Sequence, residues 1–370
     1  MDNFQKLFDD TLMNTFKEML EEGKKIDEEK LNKTIYDFYL NAPKGLSNML
    51  YEDLKADMSR MSREEELITE EFESRLHRRW YHGFLILHGI IKVCEEISTD
   101  LLDNFYAEEH VDKKRQLILQ VLFKLHSKSI QLGKEILRLL KSGFSDGALA
   151  RWRSLHELNV IFKMLAYDYQ NIDFTFEMVN RFLDYSAIES IKEMHTYKKA
   201  TKVLDLDPLT KDEEEKIRIK KREILKKYGE DFEKPNNWAK PLFPNINNRP
   251  LYFSDFEKLV RIDRLTMYYK KANSQIHVSP KGMYQSLSLM NDVKQDSFFF
   301  FGASNFGLSL PGQLTGISLS QITTSLILLE PNLDSLIMGA TLQKMLDDCK
   351  TTFEEIQNEI VIEEQNNKIK

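Results

Sequence analysis

The sequence predicts an all-α fold: a multi-helix bundle with an N-terminal helical extension and an inserted charged helical hairpin. Three observations predict it. Only 14 Gly and 9 Pro occur among 370 residues, so turns are scarce and regular elements long. Apolar residues recur at the helical period through most of the chain. The long apolar stretches carry no interior proline, which would break a helix. A chain 42% hydrophobic and 30% charged is neither disordered nor fibrous. Its net charge of −7 argues against a uniformly basic nucleic-acid wrapper and leaves room for a local basic groove.

Residues 1–75 read as a charged helical extension. Leu12, Phe16 and Leu20 recur every four residues, and Leu67, Ile68, Phe72 and Leu76 form a second apolar stripe. The spacing predicts three helices with short loops, the clearest break being Asn41-Ala-Pro-Lys-Gly45. Such helices are either a solvated outer layer or an arm for a protein partner. The main helical domain is expected over 76–350. Trp80–Leu102, Lys113–Ser142 and Ser145–Tyr169 are its first helices, with Gly143 ending one and Ser145 or Asp146 capping the next. Phe174–Tyr197 follows. Asp212–Tyr228 carries acid at its start and base at its end, which suits the helix dipole. It is too polar for a central place, so residues 198–232 are expected as an exposed hairpin.

Residues 234–250 hold four Pro and five Asn and predict the one long irregular connection. Phe253–His277 returns to helix, Ser279-Pro-Lys-Gly282 is a turn, and Ser297–Pro311 is a short strand or an ordered loop. Leu319–Leu329 and Leu333–Ile360 are the last helices, with residues 351–370 a polar tail. No solenoid period is present.

Two cysteines, Cys94 and Cys349, cannot build a disulfide framework or a thiolate zinc site. The N-terminus lacks the apolar core of a signal peptide. Runs such as Ser297–Phe301 and Ser325–Leu329 fall far short of the ~20 residues that cross a bilayer. A cytoplasmic chain with no membrane partner is expected. His77, His82 and His88 accompany no metal-ligand pattern, and no phosphate-loop or dinucleotide fingerprint occurs. Neither metal nor cofactor is expected.

Two helices carry candidate chemistry. In Ser145–Tyr169, Arg153, Glu157 and His156 fall at about 40°, 80° and 340° from Leu149. Apolar residues fill the remainder, so Arg153 and Glu157 are expected buried and mutually paired. Such a pair either locks helix register or orients an arginine toward phosphate. In Phe253–His277, Thr266, Lys270, Asn273 and His277 share one stripe, with Lys271 about 120° from His277. A cation neutralises phosphate, an amide hydrogen-bonds it, and an imidazole moves a proton near neutral pH. The other reading of His277 is a helix cap.

The string LLKSGFSDGALARWRSLHEL, followed by YKKANSQIHVSP, resembles a bacterial family of helical proteins known as a domain of unknown function. Members carry a Gly-Phe-x-Asp-Gly-Ala-x-Ala-Arg-x-Arg-x-Leu-x-Glu helix and a later Tyr-Lys-x-Ala-Ser-x-x-Val-His segment. The correspondence falls on Gly143, Phe144, Asp146, Gly147, Ala148, Ala150, Arg151, Arg153, Leu155 and Glu157, then on Tyr269, Lys270, Ala272 and His277. Asn273 and Ile276 stand where the family has Ser and Val. The resemblance spans about residues 80–345 and leaves out the extension.

Lys270-x6-His277 is also similar, more loosely, to the Arg…His motif of HEPN ribonucleases, with Lys in place of Arg. That similarity implies metal-independent RNA cleavage through the 2′-hydroxyl, a homodimer with facing active residues, and a place in bacterial antiviral defence or toxin systems. His277 is then the general acid or base, Lys270 and Arg153 hold the scissile phosphate, and Glu157 holds Arg153. Asn273, His156, Asp146, Arg151 and Tyr269 support them. The competing expectation is a non-catalytic sensor or scaffold whose buried Arg–Glu–His cluster locks helix packing.

Overall fold

The computed structural model describes residues 4–23, 27–107, 112–247, 249–277, 280, 286–289 and 302–369. Among them are twelve α-helices, three short 3₁₀ segments and no strand. The chain is all-α. It divides into two compact units, residues 1–72 and 73–370.

In the first unit, α1 (Phe4–Glu21) buries no residue fully and lies on the start of α2 (Glu28–Arg79). Phe8 stacks on Phe38 with ring centroids 4.5 Å apart, and Gln5 reaches the Tyr39 hydroxyl. Asp27 caps α2 through the Lys30 amide. The break expected at Asn41–Gly45 is not there, because α2 runs through Pro43 for 52 residues. Pro43 removes one ladder hydrogen bond, and cooperative helix on both sides carries the chain past it.

The second unit is built on α3 (Tyr81–Ala107), α4 (Lys113–Lys141), α5 (Ser145–Leu165), α11 (Ser309–Ile327) and α12 (Leu333–Ile369). Asp112 caps α4 through the Lys114 and Arg115 amides, and Gly143, at φ 79°, ends it. Helix α11 packs on α3, α4, α5 and α12 at once. Its buried Gly312, Gly316, Ser318 and Ser320 are small enough for four neighbours to approach. A Cβ at Gly312 would run into the Phe353 ring of α12. The helix starts ten residues earlier than Leu319, where the sequence reading placed it. Pro311 sits in its first turn, where a missing N–H costs little. Phe353, Ile356 and Ile360 are buried, so α12 stays in the core past residue 350.

Between α5 and α11 the chain makes an excursion. The predicted helix Phe174–Tyr197 divides at Tyr185 into α6 (Ile172–Asp184) and α7 (Ser186–Leu204). Helix α8 (Lys211–Tyr228) pairs with α7, opening on a Thr210–Glu213 capping box. The Pro/Asn-rich segment holds two 3₁₀ turns, 230–233 and 237–242, around a buried Trp238 between Phe182 and Phe256. The Arg181 guanidinium covers Tyr228 and Phe232 and donates to the Trp238 carbonyl. The helix expected over Phe253–His277 is likewise two: α9 (Phe253–Leu259) and α10 (Thr266–Ile276). Arg261, at φ 59°, and a 3₁₀ turn at 263–265 reverse the backbone between them. The expected turn at Ser279–Gly282 and the Phe298–Phe301 run lie outside the described residues, apart from Pro280.

Candidate functional site

Helix α5 begins at Ser145 and has no side-chain cap. The Asp146 carboxylate instead accepts from the Leu287 amide at 2.9 Å and the Ser286 hydroxyl at 2.5 Å. Ser145 reaches Ser288 at 3.0 Å. The Asp-Gly-Ala start of the helix therefore anchors residues 286–289 and is not a cap for α5. Arg151 points elsewhere, to Glu135 of α4 at 2.5 Å.

Two turns on from Asp146, Arg153 and Glu157 form a triad with Tyr269. The Arg153 Nη2 lies 3.0 Å from both the Tyr269 hydroxyl and Glu157 Oε1, and Tyr269 donates to the same carboxylate oxygen at 2.6 Å. The guanidinium also sits 5.0 Å over the Tyr269 ring, a cation–π contact. Burial opposes the Arg153 charge, but Tyr269 and Glu157 outweigh it and raise its pKa. Burial and the Glu157 carboxylate push Tyr269 up to about 12, so the phenol keeps its proton and donates. The triad is not fully buried: the Arg153 side chain is 22% exposed and Glu157 39%.

A fully buried polar pair lies beside it. His156 Nε2 is 2.8 Å from Glu257 Oε1, the two 0% and 1% exposed, and Thr266 donates to the other carboxylate oxygen at 2.9 Å. The His156 ring packs on Trp152, Phe253 and Tyr269, and Phe253 stacks on Tyr269. Glu257 comes from α9, so this pair binds α5, α9 and α10 together. Nothing in the sequence marked Glu257: its partner is 101 positions away and its own helix is only seven residues long.

The remaining predicted residues lie toward the far end of α10. Lys270 and His277 are exposed, and among the described residues neither side chain has a hydrogen-bond or ionic partner. His277 is the C-cap of α10, in extended conformation. Tyr269, which holds Arg153, and His277 are eight positions apart, about 12 Å along a helix axis. Asn273 is half-buried, and its Oδ1 is buried without a partner among the described residues. The structure thus joins Arg153, Glu157, His156 and Tyr269, sets Asp146 and Arg151 to other tasks, and leaves Lys270 and His277 in solvent.

A polar cavity of about 770 Å³ flanks α10. Its α10 wall is Tyr268 and Lys271, not Lys270. Ser286 and Leu287, held by Asp146, form a second wall, and Gln313, Glu354 and Gln357 face them from α11 and α12. Gly307 closes a corner at φ 79°, where a Cβ would land on the Leu287 carbonyl. The helical count from His277 had set Lys271 aside. The i,i+3 spacing of Tyr268 and Lys271 is the signal that places them on one face.

Among the described residues, no three His, Cys, Asp or Glu side chains converge as a metal site requires, and no helix is long and apolar enough to cross a membrane. Residues 119–296 match a family of unknown function (DUF5677), a stretch that contains every candidate residue from Asp146 to His277. No curated protein and no solved structure matches the chain.

Proposed function

We propose that the chain is an RNA-directed effector of the HEPN-like kind, cleaving RNA at the C-terminal end of α10. One observation carries the reading: Lys270, Lys271 and His277 are all exposed there, and none of the three has a partner among the described residues. Cations left unpaired in water attract a polyanion by counterion release. A positioned imidazole is a general base that can take the 2′-hydroxyl proton. The 2′-oxygen then attacks the adjacent phosphorus, the 5′-oxygen leaves with a proton, and a cyclic phosphate end remains. No metal or cofactor enters this route. Arg153 acts through Tyr269 to fix α10 and is a positioning residue in this scheme, since its Nη2 is held by Tyr269 and Glu157 and its Nε is buried. A homodimer pairing two α10 ends supplies the second imidazole, and antiviral defence or a toxin system is the biological setting the resemblance favours.

The test is cleavage of single-stranded RNA by the wild type and His277→Ala. A loss of about 10²-fold or more with an unchanged melting temperature is expected. Equal cleavage by the two proteins removes the enzymatic assignment.

A second reading rests on the Arg153–Glu157–Tyr269 triad, which holds the Arg153 Nη2 and leaves its Nε buried without a partner among the described residues. In it, the polar cluster locks a non-catalytic scaffold. Filter binding decides between them: RNA retention that falls steeply with salt and weakens in Lys270→Gln/Lys271→Gln supports the first, and no retention at low salt supports the second.

A further inference from the structure

A second cavity, of about 460 Å³, lies between α5, α11 and α12 on residues the RNA reading does not use. Its charge pattern is one-sided. Lys163, Arg264 and Lys350 line it, and among the described residues no carboxylate does. Lys350 pairs with Asp347 at 2.9 Å on the outer surface of α12, which offsets part of its charge. Arg264 has neither an ion pair nor a hydrogen bond among the described residues, so its donor fork is free. Lys163 is half-buried and its ammonium meets only a neutral oxygen, Ser325 Oγ at 3.0 Å. Burial and the neighbouring Arg264 charge both depress its pKa.

Gathering cations without a counter-charge is unfavourable unless an anion arrives. The neutral wall suits one. Ser320, a lining residue, is 4% exposed, and its hydroxyl is buried without a partner among the described residues. Gln321 accepts from Asn159 through its carbonyl oxygen at 2.8 Å, which leaves its amide nitrogen to donate. Thr324 adds a hydroxyl, and Ile317, Leu328 and Leu346 supply an apolar surface beside the polar one.

We propose that this cavity binds a small organic phosphate of nucleotide size, with Lys163 and Arg264 clamping the phosphate and Ser320 completing its hydrogen bonds. Arginine grips phosphate in a planar fork and lysine neutralises it as a point charge. The volume exceeds what a bare anion needs and falls in the range of small-molecule sites, so the apolar wall covers an attached ring or chain.

The experiment is isothermal titration of the full chain with a nucleoside monophosphate, inorganic phosphate and the uncharged nucleoside. The monophosphate is expected to bind one to one, phosphate to compete weakly, and the nucleoside to give no heat. Arg264→Gln and Lys163→Met should each weaken the monophosphate by about tenfold or more. Arg264 is exposed, and Lys163→Met removes a half-buried charge, so both variants should melt no lower than the wild type. No monophosphate heat at millimolar concentration overturns the proposal. So does affinity unchanged in Arg264→Gln, or equal binding of the nucleoside. If a 5′-phosphorylated RNA binds here more tightly than the monophosphate, and loses that affinity in Arg264→Gln, the site belongs to a nucleic-acid end and the small-molecule assignment fails. A failed RNA-cleavage assay leaves this result untouched.

Discussion

Arg153 and His156 are three positions apart on α5, yet their side chains lie in different surroundings. Arg153 shares a partly open triad with Glu157 and Tyr269, while His156 faces a carboxylate sealed from water. Removing His156 strands Glu257 with only the Thr266 hydroxyl. His156→Ala should therefore cost on the order of 3–5 kcal/mol. Arg153→Ala leaves Glu157 still bonded to Tyr269 and reachable by water, so it should cost about 1–2 kcal/mol. Urea unfolding of both variants checks the difference, and equal costs would contradict this ranking. The sequence marked the i,i+4 pair Arg153–Glu157, because the two lie on one helix. Long-range packing chose which pair is buried.

At the scale of elements, α11 shows how small residues set helix spacing. Gly312 faces the Phe353 ring, which is itself held against Trp80 and Gly83. Alanine in a helix gains up to about 1 kcal/mol over glycine, but here the added methyl must displace a fixed ring. Gly312→Ala should destabilise by about 1–3 kcal/mol, with partial recovery in Gly312→Ala/Phe353→Leu. Gly147 of α5 is the contrast: its Cβ would meet Leu139 and Phe144 at an ordinary 3.8 Å. Gly147→Ala should be neutral or stabilising by up to about 1 kcal/mol. Thermal melts of the three variants separate packing from propensity. Local pattern made α3, α4, α5 and α8 legible, since each has an unbroken period and a clear boundary. It failed where an element is interrupted without a Gly or Pro to mark the break, as at Tyr185 and at Arg261, whose φ is 59°.

For the whole molecule, acid stability follows from a histidine outside the site. His126 of α4 is fully buried, bonded through Nε2 to Thr323 of α11 at 2.8 Å, and its Nδ1 has no partner among the described residues. Burial pulls its pKa from 6.5 to about 4. Between those values the unfolded chain binds the proton and the folded chain does not, so stability rises with pH in that window. The contribution is complete above about pH 6.5 and is lost as pH falls toward 4, on the order of 3 kcal/mol in all. His126→Gln keeps a polar partner for Thr323 and cannot titrate. The wild type should lose more stability than this variant between pH 7 and pH 4.5, and parallel losses would contradict the assignment.

The amino-acid order by itself determined that the chain is helical and where most helices lie. Those are properties of local period, capping and composition, and they act over a few turns. Tertiary structure alone decided that Arg153 is engaged by Tyr269, that Glu257 is buried against His156, and that Lys163 and Arg264 face one cavity. Each of those pairings joins residues about 100 or more positions apart. Their energy depends on distance and solvent exposure in three dimensions, which no spacing along a single chain encodes.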